Sequence, residues 1–243
     1  MADGVIPPNA LIEERLLNVT SIFQKYHWDC GIACAQMVLS VVAPNIPAEE
    51  EDFDAVRQKL KIGKSVWTIN LAHIMHHFGV KHYFCTITLG VDPTYQHVGF
   101  YTKRDGAESF TEEEKKINEL FSSAPEIGIN VEKRSVDNTE IINHLAAGDN
   151  LAIVLIDSSI LRCINCDHKH GIMFNCCVLQ DCTSGYQGHF VVLCGFSKPK
   201  QLFFFKNPTF HEDLCDICCC SFENLTKARK SHGTDEDILF AYR

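Results

Sequence analysis

The sequence predicts an α+β fold in a single domain, with a helical first third followed by a strand-rich remainder. Three observations predict it. Apolar residues recur at helical intervals as far as Phe78, and after residue 82 the pattern changes to short β-branched and aromatic runs. The length, 243 residues, fills one core with room for a single insertion at about 160–184, so 1–243 is taken as one domain. With 46% hydrophobic and 22% charged residues, the composition is that of an ordinary globular chain.

Taken in order, the elements follow from local chemistry. Leu11 to Leu17 fits a short helix and a strand equally. Asp29 stands at an N-cap position, and Ala33, Cys34, Met37, Val38 and Val41 form one helical face, broken at Pro44. A helix with an acidic head starts at Ala48, and a third has Thr68 as its cap, Leu71, Ile74, Met75 and Phe78 as its face and Gly79 as its stop. His82 to Thr88 reads as a strand, Val98 to Tyr101 as a possible short strand, Thr111 to Ser123 as a helix and Ile127 to Arg134 as a strand. Asp137 caps a helix ending at Gly148, and Leu151 to Ile156 is a central strand. Gly188 to Phe196 and Leu202 to Lys206 are two further strands, followed by a helix over Phe222 to Lys230 and a last strand from Ile238 to Tyr242.

The chemistry concentrates at Cys30. Placed in the first turn of a helix, a thiol meets unpaired amides and the positive end of the dipole, which favour thiolate. Gly31 leaves the approach to the sulfur open. Gln24, six residues upstream, offers a side-chain amide to a developing oxyanion beside the amide of Cys30. Downstream, His189 opens an apolar strand and Asn207 ends the next, so adjacent strands set the two side by side, a base and its orienting group. Cys34, one turn deeper, reads as packing.

These residues resemble a known group. Gln24, Asp29-Cys30-Gly31, Gly188-His189-Phe190 and Asn207-Pro208 are similar to the motifs of papain-like peptidases, most closely the bacteriocin-processing branch. The resemblance implies a papain-like cysteine peptidase fold, a helical N-terminal lobe packed on an antiparallel sheet lobe. It further implies Cys30 as nucleophile, His189 as base, Asn207 as orienter and Gln24 as oxyanion donor, acting on a peptide or protein substrate through an amide, isopeptide or thioester. Asn207 departs from that branch, which carries Asp before the proline; both residues accept from an imidazole. A second resemblance covers nearly the whole chain. Tyr26-His27-Trp28-Asp29-Cys30-Gly31, Trp67-Thr68-Ile69, His76-His77-Phe78-Gly79-Val80, Tyr186-Gln187-Gly188-His189-Phe190 and Gly233-Thr234-Asp235-Glu236-Asp237 are similar to the guanylyl-cyclase-domain-containing proteins of animals and plants. That family implies the alternative activity, cyclisation of GTP with Mg²⁺ or Mn²⁺. The chain has no Gly-x-x-x-x-Gly-Lys-[Ser/Thr] loop and no Gly-x-Gly-x-x-Gly turn, so the residues by themselves favour thiol hydrolysis over phosphoryl chemistry. A non-catalytic scaffold of the same shape is the third reading.

The 13 cysteines and the net charge bound the rest. No signal peptide is expected from the opening residues and no apolar run has the length of a membrane span, so cytoplasm or nucleus is expected, where thiols stay reduced. Cys163 and Cys166 form a Cys-x-x-Cys pair, and with Cys176 or Cys177 and Cys182 they offer four zinc ligands inside the insertion. The run Cys215 to Cys220 reads as a loop without a ligand role, though Cys215 and Cys218 have the spacing to join a metal. Lys and Arg number 22 against 31 Asp and Glu, so 22 − 31 = −9, which argues against a nucleic-acid surface.

Overall fold

Strands β4 (Leu151–Asp157) and β5 (Gly188–Ser197) have no polar face, and every residue of β4 is buried. An apolar run of that kind is stable only when both faces of its sheet are covered. The computed structural model describes residues 12–46, 50–102, 109–166, 185–209 and 215–243, and in it these two strands form the middle of a mixed sheet. The other strands are β1 (Glu14–Leu16), β2 (His82–Thr86), β3 (Asn130–Lys133), β6 (Leu202–Lys206), β7 (Cys218–Ser221) and β8 (Ile238–Ala241). Their order is β3-β2-β8-β4-β5-β6-β7, with β1 paired to β5 beyond the end of β4. Every pairing is antiparallel except the parallel pair β2–β3.

The alternation along the strands assigns the faces. Phe190, Val192 and Cys194 face the helices α1 (Cys30–Val42), α2 (Glu50–Lys59) and α3 (Thr68–His77), and Val191 and Leu193 face the opposite layer. The other α-helices of four or more residues among the described residues are α4 (Gly99–Thr102), α5 (Phe110–Ser123), α6 (Asn138–Ala146) and α7 (Phe222–Arg229). α5 joins the first layer through Ile117; α6 and α7 form the second through Ile141, Leu145, Leu225 and Ala228. The chain is therefore α+β, as expected, but helices cover both faces of a mixed sheet. The expected helical lobe packed on an antiparallel sheet lobe differs in two respects: β2 and β3 pair in parallel, and helices cover the second face too, because β4 and β5 carry apolar side chains on both faces and both must be buried.

Most elements lie where the sequence puts them. Asp137 caps α6, accepting from the Glu140 amide at 2.8 Å, and Ser109, not Thr111, caps α5 in a reciprocal box with Glu112. Three differ. Leu11 to Leu17 contains a strand, β1, admitted to the sheet because Gly195 has no Cβ to meet the Arg15 carbonyl. Val98 to Tyr101 runs into a short helix, not a strand. Asp92 caps the turn that leads into it, accepting from the Thr94 amide at 2.8 Å, and the Tyr101 hydroxyl donates to the Gly233 carbonyl at 2.7 Å. Cys218 to Ser221 is an edge strand, because a neighbour exists for it in β6. Of the insertion expected at about 160–184, residues 167–184 lie outside the described residues. No helix among the described residues is long and apolar enough to cross a membrane.

Candidate functional site

Cys30 is the first residue of α1, and what holds it there is the packing of the turns behind it. Cys34, Met37 and Val38 are fully buried against the sheet, and Gly31 abuts the ring of Phe190. A Cβ on Gly31 would come within 3.0 Å of Phe190 Cδ2 and 3.1 Å of Val66 Cγ1. Gly31 thus serves close approach of the helix head to the entrance of β5, and not access to the sulfur. Asp29 does not cap α1 with its side chain either. Its carboxylate accepts from the amides of Lys25 at 3.1 Å and Tyr26 at 2.9 Å, which folds the loop that carries Gln24.

His189 and Asn207 meet, as the two-strand argument predicts. β5 and β6 are hydrogen-bonded neighbours, and His189 Nε2 lies 2.9 Å from Asn207 Oδ1. The direction of that bond follows from a third group. The Thr209 amide, which can only donate, points at the same Oδ1 at 3.0 Å, so the oxygen is identified and His189 Nε2 must carry the proton. In the neutral ring Nδ1 is then the acceptor. His189 is 4% exposed, which confines the ring to this orientation.

Gln24 belongs to the same group of residues. Its amide N–H donates to the Pro208 carbonyl at 2.8 Å, and its side-chain oxygen accepts from the Thr209 hydroxyl at 3.5 Å. The side-chain nitrogen donates to the Tyr26 carbonyl at 2.8 Å, leaving it a second N–H to offer. The chain therefore brings Gln24, His189 and Asn207 together. Cys30 stands at the head of α1 and lines a cavity with Gly188 and Phe190, while His189, which alternates with those two along β5, is not among the residues that line it. Cys34 is packing, and burial pushes its thiol well above the ordinary value.

That cavity contains two residues that sequence reasoning missed. Asp235 and Asp237 line it together with Cys30, Thr68 and Tyr101. Asp235 Oδ1 accepts from the Tyr95 hydroxyl at 2.8 Å, whereas Asp237 Oδ1 is buried without a hydrogen-bond partner among the described residues. Burial raises both carboxyls, and the charge of Asp235 raises Asp237 further. Asp235 and Glu236 hold φ of 50° and 53°, the left-handed region, at about 1–3 kcal/mol each. The signal was an acidic run set directly before the buried strand β8, where a solvated helix start is impossible. The cavity volume is about 30 Å³, enough for a water or a cation; ligand pockets span roughly 300–1,000 Å³.

The cysteines divide. Cys163 and Cys166 lie together just beyond β4, and the residues beside them are Cys215 and Cys218. Cys176, Cys177 and Cys182 lie outside the described residues. The three histidines of α3 do not act together: His73 is buried with its Nε2 3.3 Å from the Leu120 carbonyl, and His76 and His77 are exposed.

Comparison with known proteins bears on the whole chain. The model of the family described as guanylylate cyclase matches residues 19–241. The chain is also similar to Guanylyl cyclase 1 of Arabidopsis thaliana, 32% identical over 243 residues that cover 98% of this chain and 81% of that protein. Both resemblances span the head of α1, the β5–β6 pair and the acidic run before β8, and the chain belongs to the guanylylate cyclase family.

Proposed function

We propose that this chain is a thiol-dependent acyl-transfer enzyme, a hydrolase of papain-like plan within its family, acting on an amide, isopeptide or thioester. The observation that carries the reading is the His189–Asn207 bond at 2.9 Å, with the Thr209 amide dictating its polarity. An imidazole held with Nε2 as donor and Nδ1 as acceptor is prepared to take a proton from a thiol. Cys30 is that thiol: it heads α1, and the loop that carries Gln24 is bonded to Asp29 at that helix head on one side and to Pro208 and Thr209, beside the His189–Asn207 pair, on the other. Attack by sulfur on a carbonyl carbon forms a thioester and expels an amine or thiol, which takes its proton from His189. Water, deprotonated by the same ring, then releases the acid. The second N–H of Gln24 and the amides at the head of α1 are the donors for the oxyanion.

A second reading, GTP cyclisation, is favoured by the name of the family and of its plant relative and by one observation, the Asp235–Asp237 pair. An unpartnered buried carboxylate oxygen fits a divalent cation such as Mg²⁺ or Mn²⁺, which would supply charge for phosphoryl transfer. The cavity of about 30 Å³ does not admit a nucleotide without opening.

One set of measurements separates the two. Purified protein is incubated with a small acyl thioester, a peptide amide, and GTP with Mn²⁺, before and after alkylation of Cys30. Thioester or amide turnover lost in Cys30→Ala and His189→Ala is the expected result. Cyclic GMP formation that survives alkylation and disappears in Asp235→Asn or Asp237→Asn would replace the thiol reading with the second. Alkylation of Cys30 no faster than that of Cys34 would remove the first outright.

A further inference from the structure

Four cysteines from two distant stretches converge at the far end of the β6–β7 pair. Cys163 and Cys166 stand in the segment that follows β4, Cys166 in a short helical stretch, and Cys215 and Cys218 flank the start of β7, each pair with the spacing Cys-x-x-Cys. The sulfurs of Cys163, Cys166 and Cys218 all lie within 4.8 Å of one another. Cys166 Sγ is 3.9 Å from Cys218 Sγ and 3.1 Å from Cys215 Sγ. Four sulfurs at about 2.3 Å from a tetrahedral centre are separated by roughly 3.8 Å; Cys163, Cys166 and Cys218 have spacings of that order, and Cys215 Sγ touches Cys166 Sγ from outside that group of three.

The backbone around them is arranged for charge on sulfur. The Cys215 amide points at Cys166 Sγ at 3.3 Å, and the Cys219 amide at Cys163 Sγ at 3.4 Å. A neutral thiol is a weak acceptor, and amide donors aimed at sulfur are the surroundings that a metal thiolate needs. Packing alone does not account for the group. Buried thiols pack singly elsewhere in this chain, as Cys34 and Cys194 do in the first layer, whereas Cys166 and Cys215 are only half-buried and yet hold their sulfurs in contact.

We propose that Cys163, Cys166, Cys215 and Cys218 form a closed tetrathiolate site for zinc. Two Cys-x-x-Cys turns contributing two ligands each make the arrangement of a structural zinc centre, with no position left for a substrate. The ion ties the segment after β4 to the start of β7. Next to Cys215, Asp216 Oδ1 accepts from Lys206 Nζ at 2.7 Å, and the same ammonium donates to Ser21 Oγ at 3.2 Å. The ligand set differs from the one that sequence spacing suggested, because Cys176, Cys177 and Cys182 are not needed.

The test is metal content of the full-length protein purified under reducing conditions without chelators and dialysed against zinc. About one zinc per chain is expected, kept in the triple variant Cys176→Ser, Cys177→Ser, Cys182→Ser and lost in Cys215→Ser, Cys218→Ser. Loss in the triple variant with retention in the double one would overturn the proposal. Should the double variant fail to fold, the wild-type chain still decides. Cobalt loading should give the ligand-field and charge-transfer bands of a tetrahedral site with four thiolates. Alkylation mapped by mass spectrometry should find Cys163, Cys166, Cys215 and Cys218 shielded with zinc and at least tenfold faster after a chelator. Equal rates with and without zinc, no cobalt bands, or a disulfide between Cys166 and Cys215 in reducing buffer would each refute it.

Discussion

Asn207→Ala is the perturbation that most directly tests the reasoning about His189. The alanine removes an oxygen that accepts twice, from His189 Nε2 at 2.9 Å and from the Thr209 amide at 3.0 Å. His189 is 4% exposed, so water cannot simply replace the lost partner, and Thr209 Oγ1, at 3.5 Å from Nε2, stands at the limit of a hydrogen bond. An unpaired buried donor costs about 1–3 kcal/mol. At about 1.4 kcal/mol per tenfold, the ring's present orientation is depopulated by roughly five- to hundredfold. Two measurements follow. Urea unfolding should show a stability loss of about 1–3 kcal/mol. Alkylation of Cys30 at mildly acidic pH, read by peptide mass spectrometry, should slow in the same variant, by less than in His189→Ala, where the ring itself is gone. Asn207→Asp keeps an acceptor at the same place and should recover most of the labelling rate. If Asn207→Ala matches wild type in both readouts, or Asn207→Asp behaves like the alanine variant, then Asn207 does not orient the ring and the polarity argument fails.

Other perturbations bear on different parts of the fold. Gly31→Val should cost about 1–3 kcal/mol and lower turnover with the thiol intact, since even a Cβ meets Phe190 at 3.0 Å and the helix head must move from β5; an unchanged rate would separate the cavity from the chemistry. His144 is buried with its pKa lowered to about 4 by desolvation, so the native ring stays neutral while an unfolded one, near 6.5, takes up a proton. Stability from this group is therefore intact above pH 6.5 and lost as pH falls toward 4, about 2 kcal/mol of it by pH 5. Denaturation of wild type and His144→Gln at both ends of that window should give a steeper pH dependence for wild type; parallel curves would exclude His144 as the source. Cys34 should resist alkylation that Cys30 undergoes, because burial holds it as a thiol, and equal labelling of the two in folded protein would contradict the packing described.

Local chemistry determined a large part of this molecule. The 3.6-residue spacing of Cys34, Met37 and Val38, the cap at Asp137 and the apolar runs of β4 and β5 are short-range signals, and each element formed where its own residues direct. The meeting of His189 and Asn207 was also legible, since consecutive apolar strands joined by a short turn pair as neighbours. Tertiary structure decided the rest. Cys215 and Cys218 look like loop residues until β6 provides an edge for β7, and the segment after β4 is brought beside them by the β4–β5–β6–β7 order of the sheet. Asp235 and Asp237 look like ordinary surface acids until β8 takes a place between β2 and β4 and draws them into the cavity at Cys30. Asp29 has the residue type of a helix cap, but its carboxylate is claimed by the amides of Lys25 and Tyr26. In each case the deciding partner lies in a neighbouring loop or tens of residues away. Periodicity and capping report which residues share a face, and only the closed sheet reports which faces meet.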